Sequence, residues 1–423
     1  MKKRIGKNLI AVLLLLCTCF ASTSCRFLFV TDDADQLTKE DVQQMIANSM
    51  HGNVTVEGGD HYDVTINAEN QDNVAAAKAL LSTVSIDCVF KTTSSYPSGF
   101  GSTSREKTSS GSGVIFKLDK DKGDAYVITN FHVVYYNMSN TANGISSDIS
   151  LYLYGQESKE YAIPAKYIGG SMNYDIAILK VEGSRVLAES NAVEVEFANS
   201  DNVAVLDKAI AVGNPEDLGI SATLGYVNVD SEYITIDGAD GSTEIQIRVM
   251  RMDTAVNSGN SGGGLFDANG NLIGIVNAKL TDSENMSYSI PANFVKYVAD
   301  NIIYYCDGKD NEKVMRCYLG ITVGAKELYT VYDKETGKVH KREVVSIAAI
   351  ESGSIANGKL MVGDVINSIT IDGVEYDVTR MFVVTDAMIN ARVDSLVTVN
   401  VTRAGVTQDV KITITQSSLT QVA

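Results

Sequence analysis

Three residues of this chain sit in surroundings that suit the hydrolysis of an acyl bond. Ser261 lies within Asn257-Ser258-Gly259-Asn260-Ser261-Gly262-Gly263, His132 within Ile128-Thr129-Asn130-Phe131-His132-Val133-Val134, and Asp175 opens the apolar run Ile176-Ala177-Ile178-Leu179. A serine hydroxyl attacks a carbonyl only if a neighbouring imidazole takes its proton, a carboxylate fixes that imidazole's tautomer, and backbone N–H groups receive the oxyanion. The glycines around Ser261 let the backbone turn tightly, so Gly259-Asn260-Ser261 is the candidate oxyanion hole, with the N–H groups of Gly259 and Ser261 as donors. Taken singly, each residue has a plainer reading: a Gly/Ser turn, a packed histidine ending a strand, an exposed acid at a strand mouth. The histidine census narrows the choice. Of four histidines, His51 and His61 fall in an N-terminal preface and His340 in a charged hairpin of a later module. A histidine base for Ser261 therefore has to be His132.

The elements that must carry these residues read as β-structure. Val114–Phe116, Ala125–Thr129, Ile176–Val181, Ala209–Val212 and Leu272–Val276 are short apolar strands, and Asp119–Gly123 and Asn269-Gly270-Asn271 are turns between them. Many short strands with few helices predict a mainly β barrel or sandwich over residues 82–306. Residues 92–112, rich in Ser, Thr and Gly, read as a flexible loop. A helix is expected after Pro291, from Asn293 to Tyr305. In the preface, residues 26–81, Thr38 and Asp41 resemble a capping box opening a helix over Glu40–Met50. Val54–Ile66 alternates like a strand pair around Gly58-Gly59, and Val74–Leu81 reads as a short helix. Residues 307–316 are polar and read as a linker. A second module over 317–416 carries strands at Val344–Ile350, Val365–Ile371, Val397–Val401 and Val410–Ile414, and a helix at Arg380–Arg392.

Composition bounds the setting. The net charge is −17, and the basic residues Lys2, Lys3, Arg4 and Lys7 all lie in the leader, so the remainder is more acidic still. Such a surface repels phosphate backbones, which argues against nucleic acid as a partner. Residues 1–25 read as an export signal, with basic residues leading into the apolar run Leu9–Leu16, too short for a comfortable transmembrane helix. Cys25 is a candidate lipidation site, which leaves a membrane-anchored lipoprotein, a secreted form and an uncleaved anchor as alternatives. Among Cys25, Cys88, Cys306 and Cys317 no pair has metal-ligand spacing, and no metal or cofactor is implied. Cys306 and Cys317 either pair or remain two buried thiols.

Together these motifs resemble the HtrA/Deg family of trypsin-like serine proteases with a C-terminal PDZ domain, over residues 84 to 415. The resemblance rests on Gly111-Ser112-Gly113-Val114-Ile115, Thr129-Asn130-Phe131-His132-Val133-Val134, Tyr174-Asp175-Ile176-Ala177-Ile178-Leu179-Lys180, Ala211-Val212-Gly213-Asn214-Pro215, Gly259-Asn260-Ser261-Gly262-Gly263 and Ser289-Ile290-Pro291-Ala292-Asn293. It implies two six-stranded β-barrels with the catalytic centre between them, unfolded or damaged polypeptides as substrates, a location in the cell envelope or outside the cell, and assembly as a homotrimer. Ala255, Val256, Asn277 and Ala278 fall where the family's substrate pocket lies, with no acid at its base, so cleavage after Lys or Arg is not expected. In the second module, Gly353, Ala356–Leu360 and Gly363-Asp364-Val365-Ile366 resemble a PDZ domain. Tyr318-Leu319-Gly320-Ile321 falls at its carboxylate-binding loop, which captures peptide C-termini.

The sequence departs from the family pattern at Phe131, usually alanine, and at Ser258 and Gly264, where prolines are common. The last two are expected to loosen the nucleophile loop until a ligand orders it. The function expected is serine endopeptidase. A holdase or binding protein retaining the protease shell is the alternative from a different class, and an acyl-transfer esterase is a third reading.

Overall fold

The computed structural model describes residues 27–29, 53–57, 62–67, 69–95, 102–279, 286–309 and 311–423. The leader with Cys25, the helix expected at Glu40–Met50, and His51 and His61 lie outside them. Strands β1 (Phe27–Phe29), β2 (Asn53–Glu57) and β3 (Tyr62–Asn67) form an antiparallel sheet in the order β1-β3-β2, in which β2 and β3 are the expected pair. Helix α1 (Glu69–Ser82) extends the short helix read at Val74–Leu81.

Next comes a closed barrel of β4 (Thr83–Ser95), β5 (Ser102–Asp119), β6 (Asp124–Thr129), β7 (Asp148–Leu153), β8 (Ile163–Ser171) and β9 (Ile176–Val181), ordered β4-β5-β6-β9-β8-β7. A second barrel closes from β10 (Lys208–Gly213), β11 (Ser221–Asp237), β12 (Glu244–Met252), β13 (Gly264–Phe266), β14 (Leu272–Lys279) and β15 (Ser287–Pro291), ordered β10-β11-β12-β15-β14-β13. Short helix α2 (Phe131–Val134) follows β6 of the first barrel, and α3 (Arg185–Glu189) lies in the connection from β9 to the second barrel. The paired six-stranded barrels are those the resemblance implies. The described parts of the loop expected at residues 92–112 are instead strand: β4 and β5 stay in register from Thr83↔Val114 to Ser95↔Ser102. Side chains such as Thr92, Ser109 and Ser110 suit a half-exposed pleated surface, and the ladder satisfies the backbone.

Helix α4 (Ala292–Cys306) follows Pro291 as expected, one residue longer at each end than Asn293–Tyr305. It buries Phe294, Val295, Val298, Ala299, Ile302 and Cys306, the stripe that 3.6 residues per turn places on one face. That stripe joins a core shared with Val114, Phe116, Ile128, Ile176 and Ile178 of the first barrel and Val212, Phe266, Leu272 and Ile275 of the second. Each such aliphatic side chain contributes about 1.5–3 kcal/mol by leaving water, so the helix fastens the two barrels together.

The last module is a sheet of β17 (Ile321–Tyr332), β18 (Val339–Ile350), β19 (Val365–Ile371), β21 (Leu396–Arg403) and β22 (Val406–Thr413), in the order β17-β18-β19-β21-β22, with β20 (Val374–Asp377) on β19. Its helix α5 (Met381–Ala387) is shorter than the Arg380–Arg392 expected. The linker is shorter too: β16 (Val314–Cys317) already pairs antiparallel with β23 (Leu419–Val422), so the strands leading into and out of the module lie side by side. Cys88, Cys306 and Cys317 are free and buried. Burial pushes the thiols of Cys306 and Cys317 up to about 12.

Candidate active site

Register brings the first two candidates together. β6 pairs β9 with Thr129 opposite Ala177, so the residues following β6 meet those preceding β9. His132, on α2, donates its main-chain N–H to Asp175 Oδ1 at 3.0 Å, and its Nδ1 lies 2.7 Å from Asp175 Oδ2. Asn130 Nδ2 holds the Asp175 carbonyl at 2.8 Å. The Asp175 side chain is 6% exposed against 39% for His132, so the carboxylate is dry while the imidazole stays partly open to solvent. Burial pulls the His132 pKa down, but the charge and the hydrogen bond of Asp175 together outweigh it, and the pKa lies above the ordinary histidine value.

Ser261 reaches this pair from the second barrel, in the turn before β13. Its hydroxyl donates to the Asn277 carbonyl at 3.1 Å, and no hydrogen bond joins it to His132. Two glycines define the turn. Gly259 has φ 96 and Gly262 φ 84; a Cβ there would lie 2.1 Å from the Asn214 carbonyl oxygen and 2.2 Å from that of Ser112, respectively. Neither position admits another residue. Among the described residues the N–H groups of Gly259 and Ser261 have no partner, whereas that of Asn260 is spent on the Asn257 carbonyl at 3.1 Å. Asn260 is therefore not a donor to the candidate oxyanion hole. It closes the turn.

Ser112 on β5 fastens the loop from the opposite barrel. Its N–H donates to the Ser261 carbonyl at 2.8 Å and its hydroxyl to the Gly259 carbonyl at 2.7 Å, while the same hydroxyl accepts from Asn214 N–H at 2.8 Å. Its carbonyl accepts from the Thr129 hydroxyl at 2.7 Å. Sequence reasoning quoted Ser112 only as part of a strand motif, although the glycines on both sides signal a close approach. The Ser258 carbonyl in turn accepts from Glu216 N–H at 2.7 Å. Gly264 does not loosen the loop as expected. It is paired with Val212 and Ile275 inside the barrel, and a Cβ there would strike the Phe266 ring at 2.3 Å. Phe131 stacks on Tyr135 with ring centroids 5.3 Å apart.

Ala255 is exposed, and Val256 packs into the second barrel's core with Met250, Met252 and Leu265. The side chain of Ala278 lies outside the description. Asn277 is the extra residue of a β-bulge between Val276↔Ser289 and Ala278↔Tyr288. The bulge turns its side chain toward the first barrel, where Nδ2 donates to Asp175 Oδ2 at 2.5 Å. Asn277 thus belongs to the hydrogen-bonded centre rather than to a pocket wall.

In the second module, Tyr318 is exposed, Leu319 buried, and Ile321 pairs with Ile350. Gly320 has φ 75, and a Cβ there would lie 2.2 Å from Ser354 Cβ. The N–H groups of Leu319 and Gly320 have no partner among the described residues.

Residues 111–275 match the Trypsin-like peptidase domain family. The Serine protease Do-like HtrB of Bacillus subtilis (strain 168) is 30% identical over 325 residues, which is 73% of this chain and 62% of that protein. The Periplasmic serine endoprotease DegP of Escherichia coli (strain K12) is 30% identical over 316 residues, 74% of this chain and 58% of that protein. The chain therefore spans 58% to 62% of the length of these curated relatives. Among solved structures, an HtrA-type protease AlgW with decapeptide aligns over 81% of this chain and 98% of its own, at 21% identity and a TM-score of 0.47.

Proposed function

We propose that this chain is an exported serine endopeptidase of the HtrA/Deg type that forms an acyl-enzyme on Ser261, a reading supported by the trypsin-like peptidase match over residues 111–275 and by similarity to relatives named as HtrB and DegP. The observation that carries the reading is the 2.7 Å contact of His132 Nδ1 with a dry Asp175 carboxylate, which also accepts from Asn277, whose carbonyl takes the Ser261 hydroxyl. With Nδ1–H committed to Asp175, the neutral ring presents Nε2 as the base. The Ser261 hydroxyl leaves the Asn277 carbonyl by rotating about χ1, gives its proton to Nε2 and attacks the substrate carbonyl. The developing oxyanion is received by the N–H groups of Gly259 and Ser261. His132 then protonates the leaving amine, and water repeats the sequence to release the acid.

Unfolded polypeptides are the substrate class that fits relatives named as endoproteases. The second module, read as a PDZ domain over 317–416, takes peptide C-termini at Leu319 and Gly320, whose N–H groups suit a carboxylate. Relatives named as periplasmic support export across the membrane, whether the mature chain is lipidated at Cys25, secreted or held by an uncleaved anchor; assembly as a trimer is what the family resemblance implies.

One observation favours a second reading, a binding protein with little proteolysis: the Ser261 hydroxyl bonds to Asn277 rather than to His132. Digestion of casein by the full chain beside Ser261→Ala separates the two. Cleavage by the parent and none by the variant supports the endopeptidase; equal or absent cleavage in both would favour the binding protein.

A further inference from the structure

The turn that delivers Asp175 is held from outside. Asp175 has φ 49, a region that L side chains adopt at a cost. Within the turn the hydrogen bonds are long: Asp175 N–H reaches the Met172 carbonyl at 3.2 Å, and Tyr174 N–H the Ser171 hydroxyl at 3.3 Å. The short bonds come from the segment that follows the second module. Asn173 N–H donates to the main-chain oxygen of Ala423 at 2.8 Å, and the Ser171 hydroxyl donates to the same oxygen at 2.6 Å. Ser171 is 1% exposed, so water cannot readily replace that acceptor. The position of the Ala423 oxygen is itself fixed, because β23 pairs with β16 from Val314↔Val422 to Cys317↔Leu419. From the incoming side, Gly170 N–H donates to the Glu312 carbonyl at 3.0 Å, and Arg316 Nη1 lies 3.4 Å from the Tyr174 hydroxyl.

The geometry points to Leu419–Ala423 as a strap that positions Asp175, with the ladder to Val314–Cys317 fixing one oxygen and that oxygen fixing the turn. Ser171 and Asn173 are its positioning residues. The role given to Asp175 rests on the endopeptidase reading. Because β16 and β23 are the strands leading into and out of the second module, a displacement of that module that moves this ladder loads the strap. The carboxylate can then be slackened without a change at Ser261.

The test compares the full chain with one ending at Ser418. His132 is followed by NMR titration, resolvable among four histidines, alongside kcat and KM on fluorescent casein and circular dichroism. The truncated chain is expected to remain folded, with the His132 pKa lowered because the influence of Asp175 weakens. Its kcat should fall by about 10- to 100-fold, the upper figure being the scale of a catalytic group misplaced by roughly an ångström, with KM held within about twofold. The peptide Leu-Thr-Gln-Val-Ala added in trans should restore both by re-pairing with Val314–Cys317, and a scrambled peptide should not. Ser171→Ala keeps the tail and should lower the His132 pKa and kcat in the same direction; if the truncated chain does not fold, this variant decides alone. Folded variants that keep the parent's titration and kcat overturn the strap. A parent that cleaves nothing while its His132 titration still responds to truncation refutes the endopeptidase reading and leaves the strap standing.

Discussion

Asn277 Nδ2 donates to Asp175 Oδ2 at 2.5 Å, on the same oxygen that faces His132 Nδ1 at 2.7 Å. The other oxygen accepts the His132 main-chain N–H, so the carboxylate can neither rotate nor drift. A hydrogen bond to a charged group contributes about 1.5–3 kcal/mol. Asn277→Ala is therefore expected to lower kcat by roughly 10- to 100-fold, with KM little changed. Steady-state kinetics on a peptide substrate checks this; a kcat within about twofold of the parent would show the bond to be incidental.

The raised pKa of His132 fixes the direction of the pH dependence. Catalysis needs the neutral ring, so kcat/KM should rise along a limb lying above the ordinary histidine value of about 6.5. Asp175→Asn removes the charge that raises it while burial continues to lower it, so the limb should move to lower pH as activity drops. For stability the sign is opposite. A folded pKa above the unfolded one contributes stability below the unfolded pKa, and that contribution is lost as pH rises through the folded pKa. Thermal unfolding of Ser261→Ala across this range measures the second effect without self-digestion.

Ser112→Ala should damage the oxyanion loop without touching the triad. The substitution removes the donor to the Gly259 carbonyl and leaves the buried Asn214 N–H without its acceptor. A loss of about 1–3 kcal/mol in stability is expected, with a fall in kcat larger than any change in KM. Urea midpoints and kinetics on one preparation separate the two effects.

Arg248 on β12 and Asp386 on α5 form a buried pair at 2.5 Å, with the Phe382 ring 3.9 Å from the guanidinium carbon. Burial pushes the Asp386 carboxyl up to about 6 against the pull of Arg248. The ionised pair is thus a weak source of stability, but breaking it strands a charge. Arg248→Met alone should cost about 3–5 kcal/mol at pH 8, and less at pH 5, where the folded state keeps Asp386 protonated. Arg248→Met with Asp386→Leu should recover most of the loss. Urea denaturation at the two pH values decides.

The sequence revealed residues whose chemistry is marked locally and concealed those recruited by tertiary geometry. Ile176–Val181 is legible as a strand because every residue but Lys180 is apolar, and α4 because its stripe repeats with the helical period. β11 gives no such signal: most of its seventeen residues are at least partly exposed, so no alternation develops. His132, Asp175 and Ser261 stand in recognisable strings. Asn277 resembles a wall residue until a bulge turns it inward, and a bulge has no sequence signature here. Ser112 acts through its main chain as much as its hydroxyl, which composition cannot announce. Gly264 suggested freedom; contact with Phe266 made it a packing requirement.

Among the described residues, the three buried thiols fall in three different cores. Cys88 lies in the interior of the first barrel, Cys306 at the junction where α4 joins both barrels, and Cys317 in the second module. A thiol-specific reagent added to the native protein can modify each only when its own core opens. Labelling rates measured in parallel would give the opening frequency of each compartment from a single unmutated chain. They would show whether the second module unlocks ahead of the barrels or together with them.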